Sequence, residues 1–240
     1  MSFRSNFFLL HHKSIFNLFS RVFADFLDFF WLARYVFYKY FDQHFRRRSD
    51  MQELKDRIVN EGKVLPGNII KLDGFLNHRI DCDFMGRVAD AFAKVFDLSK
   101  VDMLLTAEAS GIAITAICAS KWGIPMIYAK KAKSDNIEGG LYQSEIYSYT
   151  YKKTVTQILS KEWLHEGQHI LILDDFMANG EAIRGLCDIV AQAGAVLEGI
   201  GIVVEKGFQG GGDRLRDAGY NYHALAVIEK ADPGHIEFRE

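Results

Sequence analysis

From about residue 100 the chain alternates between short apolar runs and segments whose apolar residues recur at helical spacing. VDMLLT (101–106) reads as a buried strand, the stretch after Gly111 to Trp122 as a helix, and IPMIYA (124–129) as the next strand. QHILILDD (168–175) is the clearest strand: its apolar residues run straight into two acids. A helix is predicted from Gly180 to about Ala193, with Gly194 as its stop. VLEGIGIVVE (196–205) and NYHALAVI (221–228) supply the last strands. This rhythm predicts an α/β fold with a mostly parallel central sheet flanked by helices. Ligands of such sheets bind beyond the carboxyl ends of the strands, which directs attention to the loops there.

Two stretches break the rhythm. Residues 130–153 are polar, rich in Ser, Gly, Tyr and Lys, and show little helical period. A segment that long is either a lid over a site or a plain surface loop. Residues 1–50 hold sixteen of the 32 aromatic residues and none of the 20 glycines. Phe16, Phe19, Phe23, Phe26 and Phe30 form an amphipathic stripe, and Arg21, Asp25, Asp28 and Arg34 interrupt every apolar run. No run reaches the roughly 20 residues of a spanning helix. A membrane-surface helix, a partner-binding helix and an extension outside the working fold all fit this stripe.

Charge and cysteine content narrow the classes. Residues 1–50 carry eight Lys or Arg against four Asp, a balance of +4 that leaves -6 of the overall -2 to residues 51–240. An acidic domain without a basic run does not suit tight nucleic-acid binding, so no such partner is expected. Cys82, Cys118 and Cys187 are far apart and odd in number, which points to reduced thiols in a cytoplasmic protein. His165 and His169 are four apart with Gly167 between them, and read as loop residues without zinc spacing. No metal ligands are predicted.

The chemistry concentrates in ILILDDFMANGEAIRGL (170–186): two acids at a strand end, a short loop, then a helix. Backbone N–H groups of such a turn converge on an anion, and the helix N-terminus adds partial positive charge. Gly180 permits the close approach and unusual dihedrals that a phosphate cradle needs. Asp174 and Asp175 cannot serve the phosphate itself; they suit ribose hydroxyls or the waters around a phosphate-bound Mg2+.

Acids, loop and helix in this order resemble the phosphoribosyl-diphosphate-binding signature of type I phosphoribosyltransferases. Further blocks extend the resemblance from Met51 almost to the end: LDGFLNHRID (72–81), TAEASGI (106–112), AKKAK (129–133), YSYT (147–150), LDDFMANGEA (173–182) and GIVVEKGFQ (201–209). Together they are similar to the bacterial xanthine phosphoribosyltransferase family. The resemblance implies a type I phosphoribosyltransferase fold over residues 51–240, with residues 1–50 an extension outside it, arising from a start site placed upstream of the family's usual first residue. It also implies a homodimer that takes xanthine and phosphoribosyl diphosphate, the latter as its Mg2+ complex, in purine salvage, with no membrane partner.

The same resemblance assigns roles. Ala178, Asn179, Gly180, Glu181 and Ala182 would hold the phosphoribosyl donor, and Asp174 and Asp175 would orient its ribose. Glu108, Ala109 and Ser110 would form the diphosphate loop, and residues 130–153 a hood. Lys206, Ile70 and Asn77 would meet the xanthine, while Phe208 either stacks on the purine or fills the core. Position 181 is Glu where Gln is expected, position 107 Ala where a larger aliphatic residue is usual, and position 207 Gly where Ser is usual. Some relatives carry an acid at the first loop position to take the purine proton. Ala178 cannot, so xanthine, a weak acid, is expected to arrive partly deprotonated. Two rivals are a DNA-binding regulator built on the same fold and an adenine phosphoribosyltransferase. The first needs a basic winged helix that residues 1–50 lack. Against the second stands Lys206, whose ammonium offers only donors and suits a purine carbonyl rather than an amino group.

Overall fold

In the computed structural model, which describes residues 50–131, 140–148 and 153–240, the acid-terminated strand is β7 (His169–Met177). Its period of two is plain: Ile170 and Ile172 belong to one buried cluster, Leu171 and Leu173 to the other. Around it lie β3 (Met103–Ala107), β4 (Met126–Ala129), β8 (Val196–Lys206), β9 (Tyr222–Asp232) and β10 (His235–Phe238), in the order β10-β9-β8-β7-β3-β4. Every pairing is parallel except that of β10 with β9. This is the predicted α/β architecture, and each predicted strand lies within four residues of an observed one at either end.

One face of the sheet is covered by α1 (Asp50–Glu61), α2 (Cys82–Phe92) and α3 (Gly111–Trp122), which bury Leu54, Ile58, Phe84, Val88, Phe92 and Ile114 against it. The other is covered by α4 (Glu181–Gln192) through Ile183, Leu186, Ile189 and Val190, an i, i+3, i+6, i+7 stripe. The cradle of interest sits where β7 hands over to α4, at the carboxyl edge of the sheet.

Three features differ from the sequence-based expectation. The polar stretch 130–153 is not a plain loop: β5 (Leu141–Ser148) pairs antiparallel with β6 (Lys153–Ser160) over eight residues. This hairpin also ties to Lys130 by two backbone hydrogen bonds with Ile158, each 2.9 Å. Its inward positions include Ser144 and Gln157 beside Ile146 and Ile158, so the alternation of a half-buried strand is masked by polar residues. Residues 132–139 and 149–152, including part of AKKAK and YSYT, lie outside the described residues, as do the readings made for residues 1–49. His169 is not a loop residue either; it opens β7, with Nδ1 2.5 Å from Glu198 Oε1. Finally, α5 (Gly211–Asp217) follows β8 where no element was predicted.

Candidate active site

The two acids end β7 nearly buried, Asp174 at 7% and Asp175 at 2% exposure. Asp175 is fixed from both sides. Its Oδ1 accepts from Ser110 Oγ at 2.8 Å, and its Oδ2 accepts a short hydrogen bond from Asn77 Nδ2. Ser110 occupies the N-cap of α3 but gives no side-chain cap to that helix; its hydroxyl is spent on Asp175 instead. Asn77 ends a single π-helical turn, Asp73–Asn77, whose Phe75 and Leu76 are buried. Phe75 meets Phe84 edge-on, with ring centroids 5.6 Å apart, and the Arg57 guanidinium lies 4.6 Å from both rings. Arg57 also binds Asp81, the residue that caps α2. The segment carrying Asn77 is therefore anchored to α1 and α2 by stacking and charge together.

Asp174 faces a different environment. Its Oδ1 accepts the Asp175 N–H at 2.9 Å. A Cβ at Gly111 would fall 2.4 Å from that oxygen and 2.2 Å from Thr106 Oγ1, so only glycine lets α3 begin this close. Burial, and then the neighbouring Asp175 charge, holds the Asp174 carboxyl well above the usual carboxylate range.

Beyond the acids, Ala178, Asn179, Gly180, Glu181 and Ala182 line an open cleft of about 190 Å³ together with Lys131, Tyr147 and Phe176. Gly180 has φ +80°, a left-handed conformation of the unusual kind expected of a phosphate cradle, and it is the N-cap of α4. No side chain caps this helix, so its first N–H groups are open to an anion. The loop is backed by α5. A Cβ at Gly211 would stand 2.2 Å from Ala178 O and 2.9 Å from Gly180 N, and Arg214 Nη2 donates to Asn179 O at 2.7 Å.

The neighbouring strand β8 brings Lys206 to the same edge. Its Nζ lies 5.6 Å from the Phe176 ring centroid, and burial pushes the ammonium below the usual lysine range. Just before it, Glu205 is fully buried and satisfied by Arg216 at 2.5 and 3.1 Å and by the Tyr222 hydroxyl at 3.0 Å. Glu108 receives the Lys131 N–H at 2.5 Å, and its peptide to Ala109 is cis.

The structure thus joins Asn77, Ser110, Asp174 and Asp175 directly, sets the 178–182 loop beside them, and places Lys206 at the end of the adjacent strand. Ile70 stands apart. On β2 (Ile69–Lys71), which pairs with β1 (Lys63–Leu65), it is 7% exposed and belongs to the larger core cluster. Phe208 is half-buried against that cluster. Sequence reasoning missed Gly211, Arg214 and Arg216. The run Gly210-Gly211-Gly212, directly after the base-lysine block, was the signal available for the first.

Residues 83–218 match the model of the phosphoribosyl transferase domain. A xanthine phosphoribosyltransferase of Bifidobacterium adolescentis is 49% identical over 192 residues, 79% of this chain and all of that protein. One of Lachnoclostridium phytofermentans is 46% identical over 79% of this chain and 98% of its own. Among solved structures, the adenine phosphoribosyltransferase of Saccharomyces cerevisiae superposes with a TM-score of 0.61 at 21% identity, over 74% of this chain and 98% of that one. That of Rhodothermus marinus gives 0.60 at 17% identity, over 75% and 98%. At such identities these two speak for the fold alone. The chain belongs to the phosphoribosyl transferase domain family.

Proposed function

We propose that residues 51–240 transfer the phosphoribosyl group of 5-phospho-α-D-ribose 1-diphosphate to xanthine, giving xanthosine 5′-monophosphate and diphosphate. The observation that carries this reading is the 49% identity along the whole of a relative of that name. The chemistry of the β7–α4 edge supports it.

The loop 178–182 takes the donor's 5-phosphate on its N–H groups, and the acids take the ribose hydroxyls. Because the Asp174 charge is disfavoured in the ligand-free site, it gains most when positive charge appears nearby. Displacement of diphosphate from the anomeric carbon builds such charge on the ribose, so the acid pair favours the transition state over the ground state. The donor set also fits a donor-bound Mg2+: two carboxylates at the edge of a phosphate cradle, Asp175 held by Asn77 and Ser110 and Asp174 by the Asp175 N–H. Bound with the donor, Mg2+ would offset the charge of the departing diphosphate. Segment 108–110 would face that diphosphate, and the β5–β6 hairpin would shield the reaction from water.

Xanthine would lie beside Lys206, whose ammonium donates to the carbonyl at purine position 6. Asn77 spends one amide N–H on Asp175 and keeps its oxygen and second N–H for the base. Ala178 offers no side-chain base. Homodimerisation belongs to the same proposal. The test is initial rates with xanthine, guanine, hypoxanthine and adenine at saturating donor. Xanthine is expected to be best. If adenine were best, the xanthine reading would fall while membership in the family stood.

A further inference from the structure

Glu181 presents a difficulty that the fold resolves by an unexpected route. It places a carboxylate at the first turn of α4, among the residues lining the cleft where a phosphate dianion is to be held. Left to itself, that charge repels the ligand from the N–H groups it needs. The carboxylate is engaged one turn further on. Arg184 Nε and Nη2 lie 3.3 and 3.1 Å from Glu181 Oε2. The same guanidinium is held by two more contacts that have nothing to do with the loop. Arg184 Nη1 donates to Asp188 Oδ2 at 2.9 Å, and that oxygen also accepts from Ser144 Oγ at 2.8 Å. Arg184 Nη2 donates to the backbone carbonyl of Glu145 at 2.7 Å. Ser144 and Glu145 belong to β5, the strand that lies over α4. Gly185 allows this close seating, since a Cβ there would meet Gln157 Oε1 at 2.1 Å and Ile146 at 2.7 Å.

We propose that Arg184 is a positioning residue for donor binding: it neutralises Glu181 and turns it along the helix, and through Asp188 and the Glu145 carbonyl it fastens the β5–β6 hairpin to the helix that carries the phosphate loop. The proposal rests on the donor-binding reading of loop 178–182. One planar fork with several donors serves three acceptors at once, a task a lysine point charge cannot share out in the same way.

The charge part separates cleanly from the packing part by a double-mutant cycle on donor affinity. Binding of Mg2+ phosphoribosyl diphosphate is measured by calorimetry for wild type, R184Q, E181Q and the double variant, with donor KM alongside. R184Q should weaken donor binding about three- to tenfold, the scale of an uncompensated charge near a helix N-terminus and its ligand. In the E181Q background the same change should cost less than about twofold, because no carboxylate remains to be neutralised. R184K keeps the charge and should stay within about threefold of wild type in donor affinity, while freeing β5 and raising amide exchange across residues 141–148. Xanthine KM should move less than donor KM in every variant. Donor affinity unchanged in R184Q, an equal loss in both backgrounds, or a loss in R184K as large as in R184Q would each overturn the proposal. Absence of donor binding in the wild type would instead refute the functional reading on which it stands.

Discussion

Replacing Gly211 by Ala adds one methyl group at a distance from the acids, yet it should damage donor handling severely. The added Cβ would stand 2.2 Å from the Ala178 carbonyl oxygen, 2.9 Å from Gly180 N and 3.0 Å from Asn179 C, all of them backbone atoms of the phosphate loop. A carbon and a carbonyl oxygen settle no closer than about 3.2 Å, so roughly 1 Å of movement is required. None of these atoms is a flexible side-chain end that can swing aside. The loop, hung between β7 and α4, must move instead. Displacements of about 1 Å in a positioning element cost on the order of 100-fold in turnover. Overpacking should also lower stability by about 1–3 kcal/mol, or about 2–10 °C in Tm for a domain of this size. To separate the two effects, Gly67→Ala serves as the control. Gly67 also has no room for error in its backbone, at φ +83°, but a Cβ there meets nothing within 4 Å. It should lose a comparable 1–3 kcal/mol, roughly, from strain alone. Assayed well below both melting temperatures, Gly67→Ala should keep kcat/KM for the donor within about twofold of wild type, and Gly211→Ala should fall by about two orders of magnitude. Equal activities in the two variants would refute the claim that α5 sets the position of the loop.

Further outcomes follow from the charges at the site. Changing Asp174 and Asp175 together to Asn should cut turnover by orders of magnitude with the fold intact by circular dichroism; near-normal turnover would remove the acids from the mechanism. For Asp174→Asn alone the stability effect has a defined sign: its folded pKa is raised, so the native state binds the proton more tightly and the wild type loses stability as pH rises. The variant's gain in Tm should therefore grow as pH rises above the ordinary carboxylate range, and a gain that shrinks with rising pH would contradict the burial argument. Lys206→Met should erode the preference for xanthine over adenine by about one to two powers of ten, since the carbonyl at position 6 loses its donor. It should also raise Tm at neutral pH, because burial disfavours the ammonium, with the advantage fading towards the ordinary lysine range. A protein beginning at Met51 should remain folded and as active as the full chain; loss of folding would give the aromatic stripe of residues 16–30 a structural task.

The parts of the fold legible in the sequence are those whose geometry is set by neighbours along the chain. Strand β7 buries both faces, so its apolar residues run without interruption and identify it as central. Helix α3 was bounded correctly because Gly111 and the left-handed Gly123 bracket it. The hairpin β5–β6 was not legible as strands. Its inward side mixes Ile146 and Ile158 with Ser144 and Gln157, which interrupts the apolar alternation of a half-buried strand. Ser144 finds a partner in Asp188, forty-four residues away. No local pattern records that partnership.

The site divides along the same line. Asp174, Asp175 and the 178–182 loop form one continuous unit, and a strand followed by acids, glycine and a helix already states an anion cradle. What turns the cradle into a rigid one is contributed from elsewhere in the chain. Asn77 and Ser110 hold Asp175 from two different segments, and Gly111 admits α3 to within contact of Asp174. Gly211 and Arg214 brace the loop from behind. The departure at position 181 shows the limit most clearly. Read as sequence, Glu181 is a carboxylate at a helix N-terminus where Gln is expected. Read in three dimensions, it is one arm of a charge cluster whose centre, Arg184, also answers to Asp188 and to the carbonyl of Glu145. A residue that is unfavourable for the ligand is tolerable when the counter-charge is held in place by contacts the ligand does not disturb, and those contacts belong to the strand lying over α4.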